Sequence, residues 1–367
     1  MSGDVKKGIY LSSSPHFKFG GSTTGIPSLK GNPTTDASGS TTGIMAIVLV
    51  SLLPECIFAT VTFGMRAFAL IAVSVAACVV FEAAFQKITR QKVCVSNLSA
   101  CVTGVLLALV VPPATPLWMI ILGDLVAIVI AKGLFGGIGS NVFNPALTGR
   151  AFLFLSFPAT LGASWLDPQL DAVTSATILS GIKSGAQTFT SGMVSQYFFG
   201  NRAGCIGETS ILLILISFAF LVLTKIIDWR APLAMTATVA AGTFLSSLAG
   251  TGNAAAAGME TLAAMLTGGL LFGATFMVTD YATAPVTKPG RLIFGFGCGL
   301  ITFLIRRFGG YPEGVMFSIL IMNTIAPFLN NVTGRMYGYG KKGHRRPAPR
   351  KIVQEFDTTI AKTGEQK

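Results

Sequence analysis

Charge is what this chain has least of. Asp, Glu, Lys and Arg make up 11% of its 367 residues against 51% hydrophobic ones, and its mean hydropathy is +0.66. So little charge cannot cover the wetted surface of a soluble protein of this size, which excludes an ordinary water-soluble domain. Histidine is nearly missing, at His16 and His344 alone, and the six cysteines Cys56, Cys78, Cys94, Cys101, Cys205 and Cys298 never fall in a C-x-x-C spacing. The chain by itself therefore lacks the ligands of a usual iron–sulfur cluster, bis-histidine haem or zinc site. No metal ligands are assigned, and a cluster shared with a partner that gives two further thiolates stays open. Residues 1 to 40 lack an apolar core and carry Lys6, Lys7, Lys18 and Lys30, so no cleavable signal peptide is expected and the first helix serves as the insertion signal. The glycine-rich runs from Gly133 to Gly139 and from Gly290 to Gly299 follow no expected strand, which argues against a dinucleotide-binding turn.

Long apolar stretches, in contrast, are abundant. A helix needs roughly 20 residues to cross about 30 Å of hydrocarbon, and in lipid only helices or closed barrels satisfy their own backbone. No barrel-type alternation is present, so the chain reads as an all-α polytopic membrane protein of about ten transmembrane helices. These are expected near 43–63, 66–86, 98–111, 117–135, 141–157, 209–227, 231–250, 260–278, 291–305 and 314–330. Forty-two glycines suit close helix approach. Residues 1–42 then form a cytoplasmic amino-terminal segment, 43–157 one half of the bundle, 158–208 an extracytoplasmic loop, 209–330 the other half and 331–367 a basic cytoplasmic tail.

Short cytoplasmic loops should be rich in Lys and Arg. With the amino terminus inside they collect Lys87, Arg90 and Lys92, then Lys132, then Lys225 and Arg230, then Lys288 and Arg291, and finally the tail around Lys341, Lys342, Arg345 and Arg346. Anionic lipid explains this, and the net charge of +12, better than nucleic acid does. Arg306 and Arg307 fall outside against the rule. Either the ninth span is misplaced or these arginines meet a partner or an anionic group.

The sequence also repeats itself. Leu98 to Leu107 resembles Leu262 to Leu271, and Asn144-Pro145-Ala146-Leu147-Thr148-Gly149-Arg150 stands to the first half as Ala284-Pro285 to Gly290-Arg291 does to the second. The copies lie five expected spans apart, an odd number, which suggests two inverted five-helix repeats with broken helices around a binding site. Low sequence complexity could mimic the same similarity.

Polar groups at lipid depth cost about 2.5–3.5 kcal/mol each on insertion scales and need a reason. Glu55, Glu82 and Asp124 lie within expected spans and either line an ion route or are paired structural charges, Glu82 being read as the latter with a neighbour such as Arg66. Asp280 heads a break, Asp280-Tyr281-Ala282-Thr283-Ala284-Pro285, whose counterpart Asn141-Val142-Phe143-Asn144-Pro145 carries two amides able to read a heteroaromatic edge. Ordinary helix capping accounts for the same residues. Arg306 to Gly314 could bind a phosphate or form a tight turn. The run Asp171-Ala172-Val173-Thr174-Ser175-Ala176-Thr177 ends on a hydroxyl that could accept a covalent group, although Asp, Ser and Thr are equally ordinary turn residues.

In their order and spacing these segments, with Ser14-Pro15-His16 and the Gly-Gly-Tyr-Pro-Glu-Gly stretch at 309–314, resemble the RnfD/NqrB family. Its members are the RnfD membrane protein of the Rnf complex and its homologue NqrB of the sodium-pumping NADH:quinone oxidoreductase. The resemblance implies FMN joined through a phosphoester to Thr177 by a separate flavin transferase outside the cytoplasm, with Asp171 and Ser175 in the attachment signature. Ser175 stands where many relatives have glycine. It also implies a non-covalent riboflavin, for which Asn141, Asn144 and Asp280 are the candidate surroundings. No catalytic acid, base or nucleophile is assigned, since the flavin carries the redox chemistry.

The shorter chain and modest amino-terminal segment favour the RnfD branch. The expected role is electron transfer coupled to Na⁺ or H⁺ movement in the bacterial inner membrane, beside a second FMN-carrying subunit and an iron–sulfur subunit. The alternatives are the NqrB branch and a solute channel or secondary transporter.

Overall fold

Where a segment is apolar over its whole length, the backbone has no partner but itself, and a helix results. The computed structural model describes residues 41–91, 93–163, 189, 191–200, 204–309 and 313–334, and among these no strand occurs. Thirteen α-helices run through the described residues in order: α1 (Thr41–Phe63), α2 (Met65–Ile88), α3 (Ser99–Leu109), α4 (Leu117–Leu125), α5 (Pro145–Ser156), α6 (Pro158–Ala163), α7 (Ser191–Phe199), α8 (Ile211–Leu223), α9 (Arg230–Thr251), α10 (Ala254–Leu266), α11 (Leu270–Phe272), α12 (Lys288–Phe308) and α13 (Val315–Gly334). Two of them run on without a break as π-helix: α4 into Val126–Gly133 and α11 into Gly273–Met277.

Helical structure lies at each of the ten expected positions, but not all of it is long. Five helices, α1, α2, α9, α12 and α13, have the length and hydropathy of a membrane crossing. The pair α10 and α11, bent by 57° at its break, makes a sixth if it counts as one span. Helices α3 and α8 are apolar but shorter. The protein is thus a multi-pass membrane protein with broken and abbreviated helices in its interior. The stretch 158–208, read from sequence as a loop, begins and ends differently from that expectation, with α6 starting on Pro158 and α7 ending at Phe199.

The helices bury a largely apolar core and set a few polar side chains into it, while their outward faces are apolar as well. Helix α1 turns Val50, Leu53, Ile57 and Val61 outward and buries Ser51, Glu55 and Ala59. Helix α2 buries Ala67, Leu70, Ser74, Cys78 and Glu82, one residue per turn. Exposed apolar side chains at helical spacing are what lipid contact asks for.

Small residues bring the interior together. A Cβ on Gly104 of α3 would stand 2.8 Å from the Val75 Cα of α2, and one on Gly149 of α5 would stand 2.6 Å from the Gly123 carbonyl of α4. Helix α2 packs on α3 and α4, and α9 packs on α10 and α12. The similar segments noted in the sequence nevertheless take different shapes. Leu98 to Leu107 runs into the continuous α3, whereas Leu262 to Leu271 is broken at Thr267–Gly269, because Gly268 and Gly269 adopt φ of 65° and 63°. Left-handed residues precede both α3, at Leu98 with φ 60°, and α11, at Gly269 with φ 63°.

At one end of the bundle Asp228, between α8 and α9, accepts from Arg230 Nη1 at 2.8 Å and from Arg291 Nη1 of α12 at 2.7 Å. Burial pushes this carboxyl up, but the Arg230 backbone N–H and the hydrogen bonds and charge of Arg291 outweigh it and hold it below the usual carboxylate range.

Gly104→Val should lower the stability of the purified protein by about 1–3 kcal/mol through overpacking, while Gly258→Ala, where a Cβ meets nothing within 4 Å, should leave thermal unfolding in place. For Asp228 the folded pKa is the lower one, so its contribution is complete above the ordinary carboxylate pKa and fades as pH falls through the depressed value. Asp228→Asn should therefore lower the unfolding temperature at neutral pH by more than in acid, and a deficit independent of pH would contradict this.

Candidate functional site

Between the two halves lies a cavity with about 120 Å³ of room for the centres of water-sized molecules. Helices α1 and α3 and the π-helix after α4 wall one side, and the π-helix after α11 with Leu221 and Ile227 walls the other. Both π-helical segments thus border the same space. Such segments are rare and concentrate at functional sites, because the widened turn frees or re-aims backbone and side-chain groups.

Asn141, Asn144 and Asp280, far apart in sequence, all line this cavity. Asn144 caps α5: its Oδ1 accepts from Leu147 N at 3.2 Å, with Pro145 in the first turn. Capping, the bland reading of this residue, is therefore real, and it places the amide at the cavity wall rather than competing with that role. Asn141 Nδ2 donates to Phe143 O at 3.0 Å and shapes the turn before the cap. Asp280 accepts from Thr283 Oγ1 at 3.0 Å and from the backbone N–H groups of Tyr281 and Ala282. These donors hold the broken segment after the second π-helix. The remaining sequence candidates, Asp171, Ser175 and Thr177, lie outside the described residues.

The cationic group of the cavity lining was not among the sequence candidates. Lys132, counted there as a cytoplasmic loop charge, is 4% exposed on the first π-helix. Its Nζ lies 2.9 Å from Glu82 Oε1 and donates to Ser99 Oγ. An ammonium has three hydrogens, so one remains beyond these two partners on a side chain that lines the cavity. Glu82 is indeed a paired charge, as expected, but its partner is Lys132, while Arg66 donates to Ala114 O at 2.7 Å. The available signal was an isolated Lys between Ala131 and Gly133, inside an apolar run rather than at its end.

An isoalloxazine ring presents flat apolar faces and an edge of alternating donors and acceptors. The cavity offers apolar walls such as Val102, Leu106 and Phe276, and polar groups of three kinds: amides at Asn141 and Asn144, a carboxylate at Asp280 and an ammonium at Lys132. The residues fit a flavin. Among the described residues no cluster of three or more His, Cys, Asp or Glu could hold a metal ion.

A second buried polar cluster gathers further from this cavity. Arg150 Nη2 of α5 lies 2.8 Å from Glu313 Oε2 and 3.6 Å from Cys205 Sγ. Arg306 Nη1 donates to Ala264 O at 2.7 Å, and its Nη2 donates to Thr267 O and Gly268 O at 3.2 and 3.1 Å. The arginine that broke the loop-charge rule thus takes up the free carbonyls at the broken end of α10. Arg307 faces Glu260 at 3.8 Å. Of the readings offered from sequence, the meeting with an anionic group holds for Arg307, while Arg306 meets backbone carbonyls and residues 310–312 of the expected turn lie outside the described residues.

A model of the NQR2, RnfD, RnfE family matches residues 28–338. The D subunit of the Na(+)-translocating ferredoxin:NAD(+) oxidoreductase complex of Acetobacterium woodii is 41% identical over 313 residues, covering 84% of this chain and 95% of the relative. The D subunit of the proton-translocating ferredoxin:NAD(+) oxidoreductase complex of Clostridium ljungdahlii is 36% identical over 340 residues, 90% of this chain and 96% of the relative. The B subunit of the Na(+)-translocating NADH-quinone reductase of Chromohalobacter salexigens is 40% identical but over 236 residues, 63% of this chain and 57% of the relative.

The ion pair at the cavity wall can be probed directly. Lys132→Met strands a carboxylate whose side chain is 6% exposed and should cost about 3–5 kcal/mol of stability. Adding Glu82→Gln should recover most of the loss in thermal unfolding, and additive losses would show that the pair is not energetically coupled.

Proposed function

The chain belongs to the NQR2, RnfD, RnfE family, and from that membership we propose that it is the membrane electron-transfer subunit of an Rnf-type, ion-translocating ferredoxin:NAD oxidoreductase complex. The observation that carries this reading is coverage. The two ferredoxin:NAD(+) oxidoreductase relatives align along nearly their whole length, 95% and 96%, whereas the quinone-reductase relative aligns over little more than half of its own. The chain is one subunit of an oxidoreductase and not a complete enzyme.

Within that role, Thr177 carries FMN through a phosphoester, attached by a flavin transferase on the outer side, with Asp171 and Ser175 forming the rest of the attachment signature. A riboflavin occupies the cavity between the halves. Bound there, a flavin supplies one- and two-electron redox chemistry, and the chain's own residues do the rest. Asn141 and Asn144 orient the ring edge, the apolar walls exclude water, and Lys132 places positive charge where negative charge arrives. Asp280 and its N–H donors keep the second π-helix open at the cavity.

The topology proposed is two inverted five-helix repeats giving ten spans, with both termini in the cytoplasm of a bacterial inner membrane. Support comes from the matching packing of α2 and α9 and from the paired left-handed residues ahead of α3 and α11. The partners are the other subunits of the complex, including a second FMN-carrying subunit and an iron–sulfur subunit, with membrane lipid around them.

Mass spectrometry of peptides spanning 168–183, from protein expressed with its flavin transferase, should find the mass of FMN on Thr177. The fluorescent band seen after denaturing electrophoresis should vanish in Thr177→Ala. Unmodified native material would remove covalent flavin from the proposal, and unmodified material that also carries no bound flavin would favour a solute carrier instead.

A further inference from the structure

Among the described residues, two carboxyl groups within α-helices form no ion pair, the others there, Glu82 and Glu260, being paired with Lys132 and Arg307. Asp124 of α4 is fully buried and Glu55 of α1 is 3% exposed. One oxygen of each, Asp124 Oδ2 and Glu55 Oε2, is buried without a hydrogen-bond partner. The other oxygen of each meets a serine in the same way. Ser74 Oγ of α2 lies 2.7 Å from Asp124 Oδ1 and 2.9 Å from Gly104 O of α3. Ser217 Oγ of α8 lies 2.8 Å from Glu55 Oε1 and 2.7 Å from Ser51 O of α1.

Counting hydrogens decides what these contacts are. A serine hydroxyl has one hydrogen, and a backbone carbonyl can only accept. If the serine hydrogen goes to the carbonyl, the remaining oxygen–oxygen contact needs a hydrogen from the carboxyl. If it goes to a carboxylate instead, the serine oxygen is pressed against a bare carbonyl at 2.7–2.9 Å with nothing between. The surroundings point the same way, because a buried ionised carboxylate without a cation is costly enough that the group neutralises instead.

From this arrangement we propose that Asp124 and Glu55 are proton-binding sites, each holding a proton that it donates to a serine hydroxyl whose own hydrogen is committed to a backbone carbonyl. The chain is carboxyl to serine to carbonyl in both cases. Asp124 ties α4 through α2 to α3, and Glu55 ties α1 to α8.

The groups facing each site agree with an uncharged acid. Cys78 Sγ of α2 lies 3.2 Å from Asp124 Oδ1 and offers that oxygen a weak, uncharged S–H donor. The nearest charges along the same interface, Glu82 and Lys132, are paired with each other. Beside Glu55 stand the neutral Cys56 thiol in sequence and Ser217 across the joint. Neither carboxyl is then a resident ligand for a metal cation, and the choice left open by the sequence, ion-route ligand or paired charge, resolves into a third state. The proposal depends on the membrane-spanning fold and not on either flavin.

Infrared spectroscopy of the full-length protein in lipid nanodiscs at neutral pH, with and without carboxyl-¹³C aspartate or glutamate, tests it. A protonated-carboxyl stretch should shift with each label, the aspartate band being lost in Asp124→Asn and the glutamate band in Glu55→Gln. Both variants should unfold thermally like the parent, since an amide N–H can donate to the serine as the acid O–H does, whereas Asp124→Ala and Glu55→Ala should unfold earlier. Should an amide variant fail to assemble, Ser74→Ala or Ser217→Ala reads the same bond by shifting the corresponding band. Absence of protonated-carboxyl bands, or bands that none of these substitutions moves, overturns the proposal.

Discussion

Every polar group at lipid depth must find its partner within the protein, because hydrocarbon offers none. That constraint decides which face of each helix looks inward. In α1 and α2 the buried stripe is the one that carries serine, cysteine and carboxyl groups, while valine, leucine, isoleucine and phenylalanine face out. It also decides what may end inside the bundle. The break between α10 and α11 leaves carbonyls that a soluble protein would give to water, and here Arg306 takes three of them.

Broken helices carry a benefit that repays their cost. An unbroken span turns all of its backbone groups on itself, so a cavity walled only by such spans has only side chains to offer. The breaks at Thr267–Gly269 and at Asp280–Pro285, with the two π-helical stretches, bring turns, caps and left-handed residues into the interior. The central cavity lies beside the Asp280–Pro285 break and the two π-helical stretches and against the first turn of α5, where Asn144 serves at once as cap and as cavity wall.

The helices were legible in the sequence because apolar length is a local property, and each of the ten expected positions is helical. That Asn141, Asn144 and Asp280 stand at breaks was legible for a related reason, since Gly, Pro and Asn mark breaks; that all three line one cavity shows only in the fold. Lys132 was not legible, since counting loop charges treats a lysine near a span end as wet. Only the packing of the first π-helix on α2, which brings Glu82 within 2.9 Å, shows that it is dry. The similarity of Leu98–Leu107 to Leu262–Leu271 did not carry over into shape, because Gly268 and Gly269 allow a break where the first segment runs on as helix.

Charge balance follows from the same constraint and bears on how the site can accept electrons. Lys132 is matched by Glu82 and Arg150 by Glu313, and Arg306 sits in the field of Glu313 and Glu208. If Asp124 and Glu55 each hold a proton, they add no net charge near these pairs. A negative charge arriving in the cavity then meets an ammonium with a hydrogen to spare and an Asp280 already surrounded by donors, with no uncompensated carboxylate in α1 or α4 to repel it. In a low-dielectric interior like charges repel over longer distances than they do in water. Keeping those two acids neutral is therefore as much a part of the cavity's electrostatics as the lysine that lines it.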